Sequence, residues 1–119
     1  MKLRLKGNSV RLRLTPSDLI ALRDHGVVEE SADFGEGQVL TYRLQSAGVP
    51  GPARAEFRNG TVGVTVSAED VRKWADSDQV GIYAQAGGLS VSVEKDLRCF
   101  PRTDGEPQSG GCVHPAQKV

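Results

Sequence analysis

Arginine recurs at alternate positions near the start of the chain: Arg4 in the run Lys2-Leu3-Arg4-Leu5-Lys6, then Arg11 and Arg13 among Val10, Leu12 and Leu14. A guanidinium presents a planar fork of donors that matches the oxygens of phosphate and carboxylate. Several of them converging on one surface would therefore make an anion site. Arg43 has similar alternating surroundings, between Tyr42 and Leu44, and could add a further charge to such a face. Arg4, Arg11, Arg13 and Arg43 are the candidate ligand-binding residues. The partner they predict is an anionic small molecule or an acidic protein surface.

Other reactive groups are sparse. Glu30 occupies a position whose alternation calls for an apolar residue. Buried there, its carboxyl would have a raised pKa and could act as a general acid or base. Two plainer roles compete: an inward charge that protects an edge strand, or a carboxylate reaching solvent at a sheet end. Cys99, Cys112 and His114 could supply soft metal ligands or a redox pair, but no paired C-x₂₋₄-C or H-x₃₋₅-H cluster accompanies them. His25, closing a predicted helix, suits the negative helix terminus. No glycine-rich phosphate loop, His-Glu-x-x-His or Gly-x-Ser-x-Gly is present. No catalytic residue, cofactor or metal site is expected, and the reading leans away from an enzyme.

Charge excludes further classes. Fifteen basic and fifteen acidic side chains cancel, so any anion binding is local. Bulk nucleic acid and anionic lipid usually draw on a basic excess that this chain lacks. The longest apolar run, Leu19 to Leu22, is far too short for a membrane span, and the amino terminus alternates charge with leucine where a signal peptide needs an unbroken apolar stretch. A cytoplasmic protein is expected.

The residues that must position the arginines form a pattern used twice. Leu3 and Leu5, then Val10, Leu12 and Leu14, alternate with charges on either side of Gly7-Asn8, which predicts a tight hairpin. Thr15-Pro16-Ser17-Asp18 carries a capping box with proline at the first helical position, and the helix should end at Gly26. Strands over about Val27 to Phe34 and Val39 to Gln45 follow, and residues 46–52 (SAGVPGP) read as a linker. Displaced by 52 residues, Phe57 stands for Leu5, Asn59-Gly60 for the turn, and Val62, Val64 and Val66 for Val10, Leu12 and Leu14. Ser67 stands for Thr15, Asp70 for Asp18, and Trp74 for Leu22. Val80, Ile82 and Ala84 stand for Val28, Glu30 and Ala32, and Leu89, Val91 and Val93 for Leu40, Tyr42 and Leu44.

The expected fold is therefore α+β: an internally duplicated strand–strand–helix–strand–strand unit, forming a mostly antiparallel sheet or open barrel with two helices. The first copy spans about residues 2–45 and the second about 54–96, within one domain of residues 1–99. Residues 100–119, rich in glycine, proline and polar side chains, should be a loose tail. Neither copy is large enough to cover its own apolar face, so the two should share a core.

The copies differ most in the first hairpin. A two-residue turn places Arg4 opposite Arg11 and Lys2 opposite Arg13, whereas Arg54 faces Thr65 and Glu56 faces Gly63 in the second copy; Ser92 stands where the first copy has Arg43. Like charges directly across a ladder cost stability. They could splay into water and guard the edge, be neutralised by Glu29, Asp33 or Glu94, or hold an anion.

Two resemblances follow. The opening M-K-L-R-L-K-G-N-S-V-R-L-R-L-T and the later segment Glu94-Lys95-Asp96-Leu97-Arg98-Cys99 resemble a family of short bacterial proteins that is a domain of unknown function, over about residues 1–99. That likeness implies a bacterial, cytosolic protein and no mechanism. Duplicated strand-and-helix units with a basic sheet face also resemble the triphosphate tunnel enzymes, which implies a metal-dependent phosphohydrolase. Those enzymes open with Glu-x-Glu-x-Lys, where this chain has Leu3-Arg4-Leu5-Lys6. The leading expectation is a binding or interaction module, able to self-associate as a homodimer through a sheet edge.

Overall fold

The structure, a computed structural model, describes residues 1–97. Cys99, Cys112 and His114, and with them the proposed metal or redox role and the expected tail, lie outside the described residues.

The first hairpin forms as its alternation requires, β1 (Lys2–Lys6) against β2 (Ser9–Leu14), with Arg4 paired to Arg11 and Lys2 to Arg13. Helix α1 (Pro16–His25) starts where the capping box places it. Thr15 Oγ1 accepts the Asp18 N–H at 3.3 Å, and Asp18 Oδ2 accepts the Thr15 N–H at 3.0 Å. Gly26, with φ of 83°, stops the helix by turning left-handed and donating its N–H to the Leu22 carbonyl. Strands β3 (Val27–Asp33) and β4 (Val39–Ala47) follow. The second half repeats the order: β5 (Arg54–Arg58), β6 (Thr61–Ser67), α2 (Ala68–Ala75), β7 (Gly81–Ala86) and β8 (Leu89–Lys95), with Ser67 capping α2 through the Asp70 N–H.

The fold is α+β, with its strands divided between two four-stranded sheets that do not close into a barrel. One sheet runs β1-β2-β8-β7 and the other β3-β4-β6-β5. Each sheet thus takes one hairpin from each half of the chain. Pairing within hairpins is antiparallel, and the two central pairs, β2 with β8 and β4 with β6, are parallel. The helices explain the exchange: α1 carries the chain from β2 to a strand of the other sheet, so the free edge of β2 meets β8 instead of its own second hairpin. β4 runs two residues past the expected end because Ser46 and Ala47 find ladder partners in Val66 and Ser67.

Central equivalent positions of the two halves are both buried, although Val80 is 42% exposed where Val28 is 9%. Leu12 and Val64, and Leu22 and Trp74, all have no exposed surface. They join Leu14, Leu19, Leu44, Val66, Val71, Val91 and Val93 in one apolar cluster that both sheets and both helices supply. Burying a side chain of this size stabilises by about 1.5–3 kcal/mol. With the inner faces committed to this core, the charged residues are left on the outer faces.

Candidate functional site

The outer face of the β1-β2-β8-β7 sheet has three cross-strand rows. Register places Lys6, Ser9, Ser90 and Gln85 in one row, and Arg4, Arg11, Ser92 and Tyr83 in the next. Lys2, Arg13, Glu94 and Gly81 form the third. Three of the four predicted site residues, Arg4, Arg11 and Arg13, are therefore together. Arg43 is not with them: it lies on the other sheet, where its Nε donates to Glu29 Oε1 at 2.7 Å. The separation follows from the exchange of hairpins, which puts β4 beside β6.

Neutralisation is partial. Glu94 Oε1 sits 3.5 Å from Arg11 Nε and 3.6 Å from Arg13 Nε, and Lys2 Nζ is 3.5 Å from Asp96 just past β8. Of the acids expected to quench this face, only Glu94 reaches it. Glu29 serves Arg43, and Asp33 accepts the Gly35 N–H in its own turn. Arg4 and Lys6 form no ion pair among the described residues. With Ser9 and Arg11 they line a shallow depression of about 160 Å³. Across the sheet, Tyr83 donates its hydroxyl to Glu94 Oε2 at 2.9 Å. Burial, then the hydrogen bond and charge of Glu94, push the phenol's pKa up.

Gly81 makes this arrangement possible. A Cβ added there would stand 2.6 Å from the Val93 carbonyl oxygen, 2.9 Å from Tyr83 Oη and 3.0 Å from Glu94 Cγ. The Tyr83 side chain therefore extends along its strand and caps the gap that the glycine leaves, as aromatic residues do for strand glycines. Gly81→Ala is expected to cost about 1–3 kcal/mol by overpacking, visible as a lower urea midpoint. Sequence reasoning missed Tyr83. Its signal was available: an aromatic of outward parity between Ile82 and Ala84.

Glu30 proves to be a counter-ion. Its Oε2 accepts the Met1 ammonium at 2.7 Å, and Asp18 Oδ2 lies at 2.7 Å on the same group. Burial alone would lower the pKa of this ammonium, but hydrogen bonds and charge from Asp18 and Glu30 outweigh it and the net shift is upward. The neighbouring Tyr42 phenol is raised by burial first and by Glu30 second. Glu30 thus ties the chain start to β3. It has an ion-pair partner at the position where the other half buries Ile82.

Among the described residues, no group of three or more His, Cys, Asp or Glu could hold a metal ion, and no helix is long and apolar enough to cross a membrane. A model for a family of unknown function, DUF7009, matches residues 1–116. The chain belongs to this family. The DUF7009 match runs beyond the 99 residues over which the sequence resemblance was drawn, and it covers the basic hairpin and the Glu94-Lys95-Asp96 segment alike. No curated protein and no solved structure matches the chain.

Proposed function

We propose that this protein is a small non-enzymatic binding module whose ligand is an anion held on the outer face of the β1-β2-β8-β7 sheet. One observation supports the reading above others: the two outer faces are equivalent in construction and unequal in charge. The first carries Lys2, Arg4, Lys6, Arg11 and Arg13 against Glu94 and the adjoining Asp96. The second carries Arg43, Arg54 and Arg58 against Glu29, Asp33 and Glu56, with ion pairs Arg43–Glu29 at 2.7 Å and Arg58–Glu56 at 3.8 Å. A balanced face satisfies itself. The first hairpin keeps like charges opposite each other at a cost to its own stability, which a bound anion would relieve.

Arg4 and Arg11 carry this reading because both line the depression; Arg11 shares Glu94 with Arg13, which lies outside the depression, and Arg43 is spent on Glu29. Isothermal titration of inorganic pyrophosphate into the wild type and into Arg4→Ala/Arg11→Ala tests it. Binding to the wild type, weakened at least tenfold in the double variant, is the expected result; equal and negligible heats in both would end the proposal.

The triphosphate-tunnel alternative finds less support. Its chemistry needs arginines and carboxylates turned into a closed barrel, whereas here the inward side chains are apolar and the arginines lie on the outside of an open sheet. A cytoplasmic setting and self-association through a sheet edge complete the proposal.

A further inference from the structure

We infer that the anion taken up on this face is the phosphoryl end of a mononucleotide, whose base lies against Tyr83. The inference rests on the anion-binding reading and narrows it to one chemical class.

The row Arg4, Arg11, Ser92, Tyr83 crosses all four strands of the sheet. Neighbouring strands lie about 4.8 Å apart, so the row spans roughly 14 Å from end to end. One end is cationic. Arg4, Lys6 and Arg11 surround the depression beside the Ser9 side chain. A carboxylate brings one charge to three cations, whereas a phosphoryl group brings nearly two and offers three acceptor oxygens. A diphosphate suits the site better still.

The other end is aromatic. Tyr83 is 57% exposed while its hydroxyl is anchored on Glu94, so its ring face is open to a ligand. The anchor matters: with Oη fixed on Glu94 above Gly81, the ring is held along the sheet before any ligand arrives. A held ring loses little freedom when a base stacks on it. Between the two ends lie Ser92 and Ser90, small hydroxyl-bearing residues that leave room above the sheet and present groups a ribose could meet. Glu94 lies in the adjoining row, already engaged by Arg11, Arg13 and Tyr83, so its charge is compensated.

A single-stranded nucleic acid would use the same kinds of contact, but in series. Proteins that bind single strands stack successive bases on several aromatic residues along a basic track. Tyr83 is the one aromatic on this face among the described residues, and the cations gather at the opposite end of the row instead of running beside it. One base and one phosphoryl group fit that arrangement; a strand does not.

Titrations of adenosine diphosphate, inorganic pyrophosphate and a short single-stranded oligoadenylate into the wild type, Tyr83→Ala and Tyr83→Phe separate the possibilities. Stacking on one aromatic should make adenosine diphosphate bind at least about fivefold tighter than pyrophosphate. Tyr83→Ala should erase that ratio while keeping pyrophosphate binding, and Tyr83→Phe, which keeps the ring, should keep most of it. Pyrophosphate binding with no gain from the nucleoside would overturn the inference and leave the anion site standing. Absence of binding by either would remove both. An oligoadenylate that binds tighter than the mononucleotide would overturn it in favour of a strand.

Discussion

Trp74→Ala is expected to lower the stability of the protein by about 3–5 kcal/mol. Trp74 has no exposed surface and sits on α2 at the centre of the cluster shared by both sheets. Truncation to alanine removes the indole and leaves a cavity that two sheets and two helices would have to collapse together to fill. It also removes one of the two donors on the Val80 carbonyl, which accepts the indole Nε1–H at 3.0 Å and the Lys95 N–H at 2.9 Å where the chain leaves α2 for β7. The carbonyl keeps the Lys95 donor, so this loss is that of one ordinary hydrogen bond, about 0.5–1.5 kcal/mol. That second loss separates Trp74 from its counterpart Leu22, whose truncation should cost about 2–5 kcal/mol through volume alone. Trp74→Phe keeps most of the volume and loses the hydrogen bond, so its deficit should be the smaller. Since a chain of this size has a total stability of only about 5–15 kcal/mol, Trp74→Ala removes a large part of it. Urea denaturation followed by far-ultraviolet circular dichroism measures the effect; the usual fluorescence probe disappears with the only tryptophan. A loss below about 1 kcal/mol would mean that α2 does not seat in the shared core.

What could be read from the sequence was local. Gly7-Asn8 fixes which residues face each other in the first hairpin, so the pairing of Arg4 with Arg11 and Lys2 with Arg13 followed from counting. Thr15, Asp18 and Gly26 mark both ends of α1 for the same reason: caps act over three or four residues. The 52-residue displacement identified the buried equivalents, and alternation distinguished inner from outer faces. Alternation does not say which strand lies beside which. Choice of partner between hairpins depends on where α1 and α2 deliver the chain, and no short-range signal in the sequence records that. The consequence falls on Arg43. Its parity was right and its sheet was not foreseen, so it was grouped with arginines that lie on the opposite outer face.

Glu30 shows a different limit. A carboxylate at an apolar-parity position invites a catalytic reading, because burial raises its proton affinity. The structure satisfies it with an ammonium from the main chain, a group that appears in no side-chain pattern. Tyr83 is the converse case. Its parity was legible, but its anchoring depends on Glu94, which comes from another strand, and on the missing side chain of Gly81.

Separating the two halves should abolish folding of each, and mixing them should restore it. A chain of residues 1–50 holds β1-β2 and β3-β4, yet these hairpins belong to different sheets and share no ladder. Each would be a two-stranded ribbon with its inner face exposed, and such ribbons are marginal at best in water. The same holds for residues 51–119 with β5-β6 and β7-β8. Neither half alone should give a cooperative urea transition, whereas an equimolar mixture should form a one-to-one complex with protected amides along β2-β8 and β4-β6. Self-pairing is the competing outcome, since each half could borrow a second copy of itself in place of its partner. The charges oppose this for the first half. Equivalence of the halves would put Arg43 of one copy where Ser92 now stands beside Arg11, adding a further like-charge contact to the row that already opposes Arg4 with Arg11. In the second half the corresponding neighbours would be Gly63 and Ser92, which carry no charge. Self-association should therefore be weaker for residues 1–50 than for 51–119, and Arg43→Ser should narrow the difference. Sedimentation equilibrium of each half and of the mixture measures all three. A monomeric half with a cooperative transition of its own would contradict the interleaved pairing on which the basic face, and the loss of Arg43 from it, depend.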